Sequence, residues 1–287
     1  MELYRLIMKK CIPAISIAYL LIACNGSVTE SSYLEQNATL ESKLLGRAIE
    51  YRVYKPADTA QKPTTILYLL HGHGGDHMDW FEKGEGQVGT ILDSLIRIGT
   101  LPPLVAVSIN AGNSWYVNRP EPMRTFYLEE LIPHIEETYI KQGPRTRLIA
   151  GNSAGGYGTL GLIMAEPELF DAAILLSPAA YYPLPPAISS SRKVEAFMVN
   201  GSFNDSVWKQ LSYQANWPGN LSSGNSPFIH LSVGDDDAYN IVPVVSRLQQ
   251  LLLEEGIENE LRITDGGHDW ECWKKNFTAA LKDYYDQ

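Results

Sequence analysis

The chain has 287 residues, 45% of them hydrophobic, which is enough to bury the core of one larger α/β domain. Its formal charge is −10 and no basic cluster occurs anywhere along it, so nucleic acid is excluded as a partner, because phosphate neutralisation needs a Lys/Arg patch.

The first predicted element is a targeting segment. Lys9 and Lys10 precede the apolar run CIPAISIAYLLIA, which is too short to span a bilayer and reads as the h-region of a secretory signal, with Met8 an alternative start. Leu21-Ile22-Ala23-Cys24 resembles a bacterial lipoprotein lipobox. That resemblance implies cleavage after residue 23, lipidation of Cys24 and a mature protein held at the cell envelope by its lipid anchor alone. Only Cys24 and Cys272 would then remain, so no disulfide framework is expected, and Cys272 reads as a small buried residue on a helix. Residues 24–42, polar, small and aperiodic, read as a tether, and 43–287 as the folded domain.

From there strand and helix signals alternate. AIEYRVYKP (48–56) alternates like an early strand. The runs at 65–70, 103–110, 147–151, 172–177 and 228–234 are continuously apolar or nearly so, and 260–265 reads as a further strand. Helical periods occupy 126–139, 159–166, 241–256 and 270–285. This pattern predicts an α/β fold with a mostly parallel, twisted central sheet, helices on both faces, and ligands beyond the carboxyl ends of the strands. The stretch 179–226, irregular and rich in Pro and aromatic residues, is expected to lie over that end as a lid or cap.

Three segments carry chemistry. RLIAG runs into GNSAGGYG, where Gly151-Asn152-Ser153-Ala154-Gly155 fits G-x-S-x-G, a strand-to-helix turn that exposes a serine nucleophile. A serine needs a base, and the base an orienting acid. Of the two histidines downstream, His230 lies inside a strand pattern and reads as structural, whereas His268 follows a strand in the loop DGGHDW. The acid is expected after the preceding strand, where Asp235, Asp236 and Asp237 all stand, and spacing from Gly234 favours Asp237. The third segment, HGHGGDH (71–77), offers a choice between metal ligands and a glycine-hinged backbone loop. Its spacing departs by one residue from the H-x-H-x-D-H of metallo-hydrolases, and no later histidine has a suitable setting, so no metal and no cofactor are expected.

Taken together, HGHGG, NSWYVN, LEELIPHIEETY, GNSAGGYG, GDDDAYN and GGHDWECW resemble the putative-esterase branch of the α/β-hydrolases, which includes feruloyl and acetyl-xylan esterases. The similarity runs from about Leu40 to the C-terminus. It implies Ser153 as nucleophile, His268 as base and Asp237 as its partner, with the backbone N–H groups of His73 and Ala154 as the oxyanion hole. Trp115 and Tyr116 are expected to line the approach to Ser153. Trp270 and Trp273, three residues apart, read as core. The implied reaction is serine ester hydrolysis through an acyl-enzyme, on acetyl or feruloyl groups of a glycan. Acyl transfer, or a siderophore or lipid ester, are alternatives on the same residues, and a non-catalytic binding lipoprotein is a third reading.

Overall fold

The computed structural model describes residues 32–57, 62–140, 143, 144 and 146–286; the signal segment and Cys24 lie outside them. The sheet has eight strands, numbered here along the chain: β1 (Tyr33–Ser42), β2 (Arg47–Lys55), β3 (Thr65–Leu70), β4 (Leu104–Ile109), β5 (Thr146–Asn152) and β6 (Ala172–Leu176). A small hairpin, β7 (Met198–Val199) and β8 (Ser202–Phe203), stands apart from it, and β9 (Phe228–Gly234) and β10 (Asn259–Thr264) complete it. The spatial order is β1-β2-β4-β3-β5-β6-β9-β10. β1 pairs antiparallel with β2 and β2 with β4, and every later pair is parallel. The α/β architecture with a mostly parallel sheet is therefore as the strand and helix rhythm predicts.

The continuous apolar strands follow from burial on both faces. In β3, Ile66, Tyr68 and Leu70 enter one core cluster while Leu67 and Leu69 enter the other. The first face is covered by the helical run from α2 (Met123–Phe126) to α3 (Ile132–Tyr139), by α4 (Ala154–Ala165) and by α6 (Val242–Glu254). The second is covered by α1 (Val88–Arg97) and α7 (Trp270–Tyr285). Between β8 and β9 lies α5 (Asp205–Leu211), capped by the Asn204 side chain, which accepts from the Val207 N–H at 3.0 Å.

Two expectations are corrected here. The polar tether does not extend to residue 42, because Tyr33–Ser42 forms β1 with Leu34, Ala38 and Leu40 packed against the core. A register shift between Glu35 and Ala38 breaks the alternation and hid the strand from periodicity. The helix expected over 126–139 starts at Met123 and widens to a π-turn at Tyr127–Leu131. Pro133 stands two residues beyond it; it has no N–H to donate to the Glu129 carbonyl and its ring crowds that group, so a wider turn fits there.

The 179–226 stretch is a packed part of the domain. Phe197 and Trp208 (ring centroids 4.8 Å apart) join Trp115 and Tyr157 in a third buried cluster. The Arg119 guanidinium ties it down by donating to the carbonyls of Ala196 (2.7 Å) and Met198 (2.8 Å).

Candidate active site

The parallel strands bring their carboxyl ends to one edge, and each motif emerges there. β5 ends at Asn152, and Ser153 has φ 53° and ψ −113°, outside the ordinary regions for a residue with a side chain. The chain turns so sharply that α4 starts at the next residue, five residues earlier than its helical period suggests. Gly155 makes this possible: a Cβ there would collide with the Leu70 carbonyl at the end of β3.

The turn aims the Ser153 hydroxyl at His268. Ser153 Oγ lies 2.9 Å from His268 Nε2, and His268 Nδ1 lies 2.7 Å from Asp237 Oδ2. A carboxylate only accepts, so the imidazole proton sits on Nδ1 and Nε2 is left to accept from the serine hydroxyl. The Asp237 side chain is fully shielded from solvent, and its Oδ1 accepts the Tyr239 N–H at 2.9 Å. Asp235 and Asp236 are exposed, and Asp235 Oδ1 instead accepts the Gly266 N–H. Of the three consecutive aspartates, only Asp237 meets the histidine. Tyr239 and Trp273 pack on the imidazole at 4.5 and 5.0 Å between centroids, fixing its plane.

The glycine loop runs beside the serine. A Cβ on Gly72 would stand 3.5 Å from Ser153 Cβ, so only the absence of a side chain separates this backbone from contact with the nucleophile. His73 follows on the wall of the same cavity, which has a volume of about 200 Å³. Ala154 opens α4, where backbone N–H groups have no intrahelical acceptor. Among the described residues, neither the His73 nor the Ala154 N–H donates to a protein acceptor.

The histidine cluster resolves into separate jobs. His71 is buried; its Nδ1–H donates to the Gly72 carbonyl (2.8 Å) and its Nε2 accepts the Ala111 N–H (3.1 Å). Burial holds it at about 4, so it is neutral at pH 7. His73 Nδ1 accepts from Trp115 Nε1 at 3.3 Å, and burial lowers its pKa too. Asp76 accepts the Met78 N–H. Among the described residues, the group whose possible ligand atoms do converge is His230, Glu260 and Asp283. There Arg262 already pairs with both carboxylates, at 2.6 and 2.7 Å.

The two aromatic expectations divide. Trp115 lines the Ser153 cavity. Tyr116 does not, which corrects the reading that it lines the approach: its ring lies over Gly158 of α4 and its hydroxyl donates to the His71 carbonyl at 3.3 Å. Both residues have positive φ (52° and 57°), and this paired left-handed turn sends adjacent side chains to different places. The cavity has further walls that sequence reasoning missed or read as core: Asp79, Tyr181, Ser189, Ser190, Tyr239, Trp270 and Trp273. Burial, helped by the charges of Glu85 and Asp76 and opposed by the Asp76 N–H, pushes Asp79 up to about 6.

The chain is similar to known esterases over most of its length. The chain is 27% identical over 264 residues to an acetyl esterase of Caldicellulosiruptor saccharolyticus, covering 88% of this chain and 94% of that one. It is 29% identical over 161 residues to an endo-1,4-beta-xylanase/feruloyl esterase of Xylanibacter ruminicola, covering 52% of this chain and 22% of that protein. Among solved structures, a ferulic acid esterase superposes with a TM-score of 0.72 at 24% identity, covering 90% and 99% of the two chains. The Esterase family, described as Putative esterase, matches residues 42–284, nearly the whole of the described domain. The chain belongs to the putative esterase family.

Proposed function

We propose that the protein is a serine carboxylic ester hydrolase that removes acetyl or feruloyl groups from a glycan through an acyl-enzyme. The observation that carries the reading is the unbroken relay from Ser153 Oγ through His268 to shielded Asp237, opening on a cavity. Similarity to an acetyl esterase and to a xylanase/feruloyl esterase supports the glycan ester as substrate.

In the first half-reaction Ser153 Oγ attacks the ester carbonyl as its proton passes to His268 Nε2. The tetrahedral oxyanion accepts from the His73 and Ala154 N–H groups, each contributing on the order of 3 kcal/mol to lowering the barrier. On collapse the C–O bond breaks, and His268 returns its proton to the departing sugar oxygen. Water then gives a proton to His268 and attacks the acyl-enzyme; the acid leaves and Ser153 regains its hydrogen. Asp237 holds the Nδ1–H tautomer and stabilises the imidazolium in both halves. Trp115, Trp270 and Trp273 give the cavity aromatic walls, which suit a phenolic acyl group.

The lipobox-like Leu21-Ile22-Ala23-Cys24 supports placement at the cell envelope by a lipid on Cys24. No helix of the described residues is long and apolar enough to cross a membrane. A fluorophosphonate probe tests the chemistry: it should label Ser153, and Ser153→Ala should abolish turnover of acetylated xylan and feruloyl-sugar esters. Retained turnover in that variant, or its loss on adding a chelator, would contradict the mechanism.

A further inference from the structure

A second cavity, of about 700 Å³, lies under the 210–220 segment against the C-terminal half of α4, and shares no wall residue with the Ser153 cavity. Arg124 stands in its wall. The guanidinium rests on Gly161, where a Cβ would lie 2.6 Å from Nη2 and 3.2 Å from Cζ. A glycine inside a helix lowers its stability, and here its effect is to make room for the guanidinium. Arg47, Arg52, Arg147 and Arg262 each meet a carboxylate, but among the described residues Arg124 meets none. Among the described residues its side-chain N–H groups have no acceptor, and Nε is sealed from solvent as well. A guanidinium stays charged under all ordinary conditions, so the cavity carries an uncompensated positive charge inside a chain of net charge −10.

Several other wall residues are of types that bind sugars. Tyr213 and Trp217 meet edge to face at 5.7 Å, and among the described residues Tyr213 Oη and Trp217 Nε1 are both buried without a partner. Gln210 and Asn216 add exposed amides.

We propose that this cavity binds a hexuronate unit of the glycan, with Arg124 pairing to its carboxylate. A planar guanidinium fork matches a carboxylate with two parallel hydrogen bonds. The amides suit ring hydroxyls, and the aromatic rings suit the apolar faces of a pyranose. The volume falls in the range of small-molecule sites and far exceeds what a bare anion fills. Eight residues of α4 separate Ser153 from Gly161, roughly 12 Å at the helical rise, so the pocket reads a different unit from the one bearing the ester. The inference rests on the glycan-ester reading above and deepens it.

The test is calorimetric and needs no turnover. Full-length Ser153→Ala protein is titrated with a glucuronate-branched xylo-oligosaccharide, a neutral one of equal length, free glucuronate and sodium sulfate. The acidic oligosaccharide should bind at least tenfold more tightly than the neutral one. Arg124→Gln, added to Ser153→Ala, should erase that difference, and so should Gly161→Ala, which displaces the guanidinium while favouring the helix. In the wild-type background, Arg124→Gln should leave turnover of 4-nitrophenyl acetate unchanged. Equal binding of the two oligosaccharides, or a preference that survives Arg124→Gln, overturns the proposal. Free glucuronate or sulfate binding as tightly as the acidic oligosaccharide overturns the sugar assignment. Arg124-dependent binding in a protein whose wild type does not cleave glycan esters would support the pocket and refute the enzymatic reading alone.

Discussion

Replacing Asp237 by Asn asks whether one of three consecutive carboxylates governs the reaction. The variant is nearly isosteric, so its effect can be worked out from hydrogen-bond polarity. Oδ1 accepts the Tyr239 N–H at 2.9 Å, and this bond selects the amide orientation with oxygen on that side. The NH2 group then faces His268 Nδ1 at the 2.7 Å position now held by Oδ2. Two donors cannot share the contact, so the imidazole proton moves to Nε2. That nitrogen then cannot accept from Ser153. The expected loss is on the order of 10⁴ in kcat, the scale for a triad locked in the wrong tautomer, with little change in KM. At about 1.36 kcal/mol per decade this is roughly 5.5 kcal/mol of barrier.

The neighbours serve as internal controls. Asp235→Asn keeps the bond from the Gly266 N–H through its amide oxygen, and Asp236 is exposed, so both variants should stay within about threefold of wild type by the scale of surface substitutions. Initial rates on 4-nitrophenyl acetate, with circular dichroism to confirm folding, decide the matter. Similar losses in all three variants, or more than a tenth of wild-type activity in Asp237→Asn, would refute the reasoning.

Three further outcomes follow from the geometry. His73→Ala should lower kcat less than about tenfold, because only the backbone N–H is required, whereas His73→Pro deletes that donor and should lower kcat by roughly 10²–10³. Gly155→Ala forces a methyl group onto the Leu70 carbonyl and should destabilise the fold by ~1–3 kcal/mol or more in urea titrations; an unchanged midpoint would contradict the close packing of the elbow. Burial lowers His230 to about 4, with Glu260 opposing, so on acidification the unfolded chain takes up this proton near pH 6.5 and the folded chain only near 4. Stability present above pH 6.5 is therefore lost between 6.5 and 4, by about 3 kcal/mol for this residue. His230→Leu should remove that share of the loss between urea titrations at pH 7 and 4.5, and an unaltered pH dependence would count against it.

The strands were legible because a parallel sheet covered on both faces demands continuous apolar runs, and β3 and β4 are buried at every position. Ser153 was legible for a related reason, since it follows such a run directly, and His268 because it stands in the loop after the last strand. What stayed hidden depends on local dihedrals or on contacts far along the chain. β1 was lost to its bulge, and the divergence of Trp115 from Tyr116 depends on two left-handed residues in succession. Trp270 and Trp273 do pack with the core, as their spacing suggests, yet the same helix face borders the Ser153 cavity. Tyr181, Ser189 and Ser190 reach that cavity only because the irregular stretch folds back over the sheet edge.

HGHGGDH shows how one composition supports two chemistries and how hydrogen bonding separates them. A metal ligand needs a free nitrogen lone pair, and His71 has none: one nitrogen donates to the Gly72 carbonyl and the other accepts the Ala111 N–H. The Ala111 bond ties the first turn of the loop to the chain just beyond β4. Tyr116 adds a second tie through its hydroxyl on the His71 carbonyl. The loop is thus held beside Gly72, which lines the same cavity as Ser153, and the next N–H belongs to His73. Protonating His71 would remove the acceptor for the Ala111 N–H and leave a charge in the core. The neutrality that burial imposes on this imidazole is therefore a condition for placing the proposed oxyanion donor.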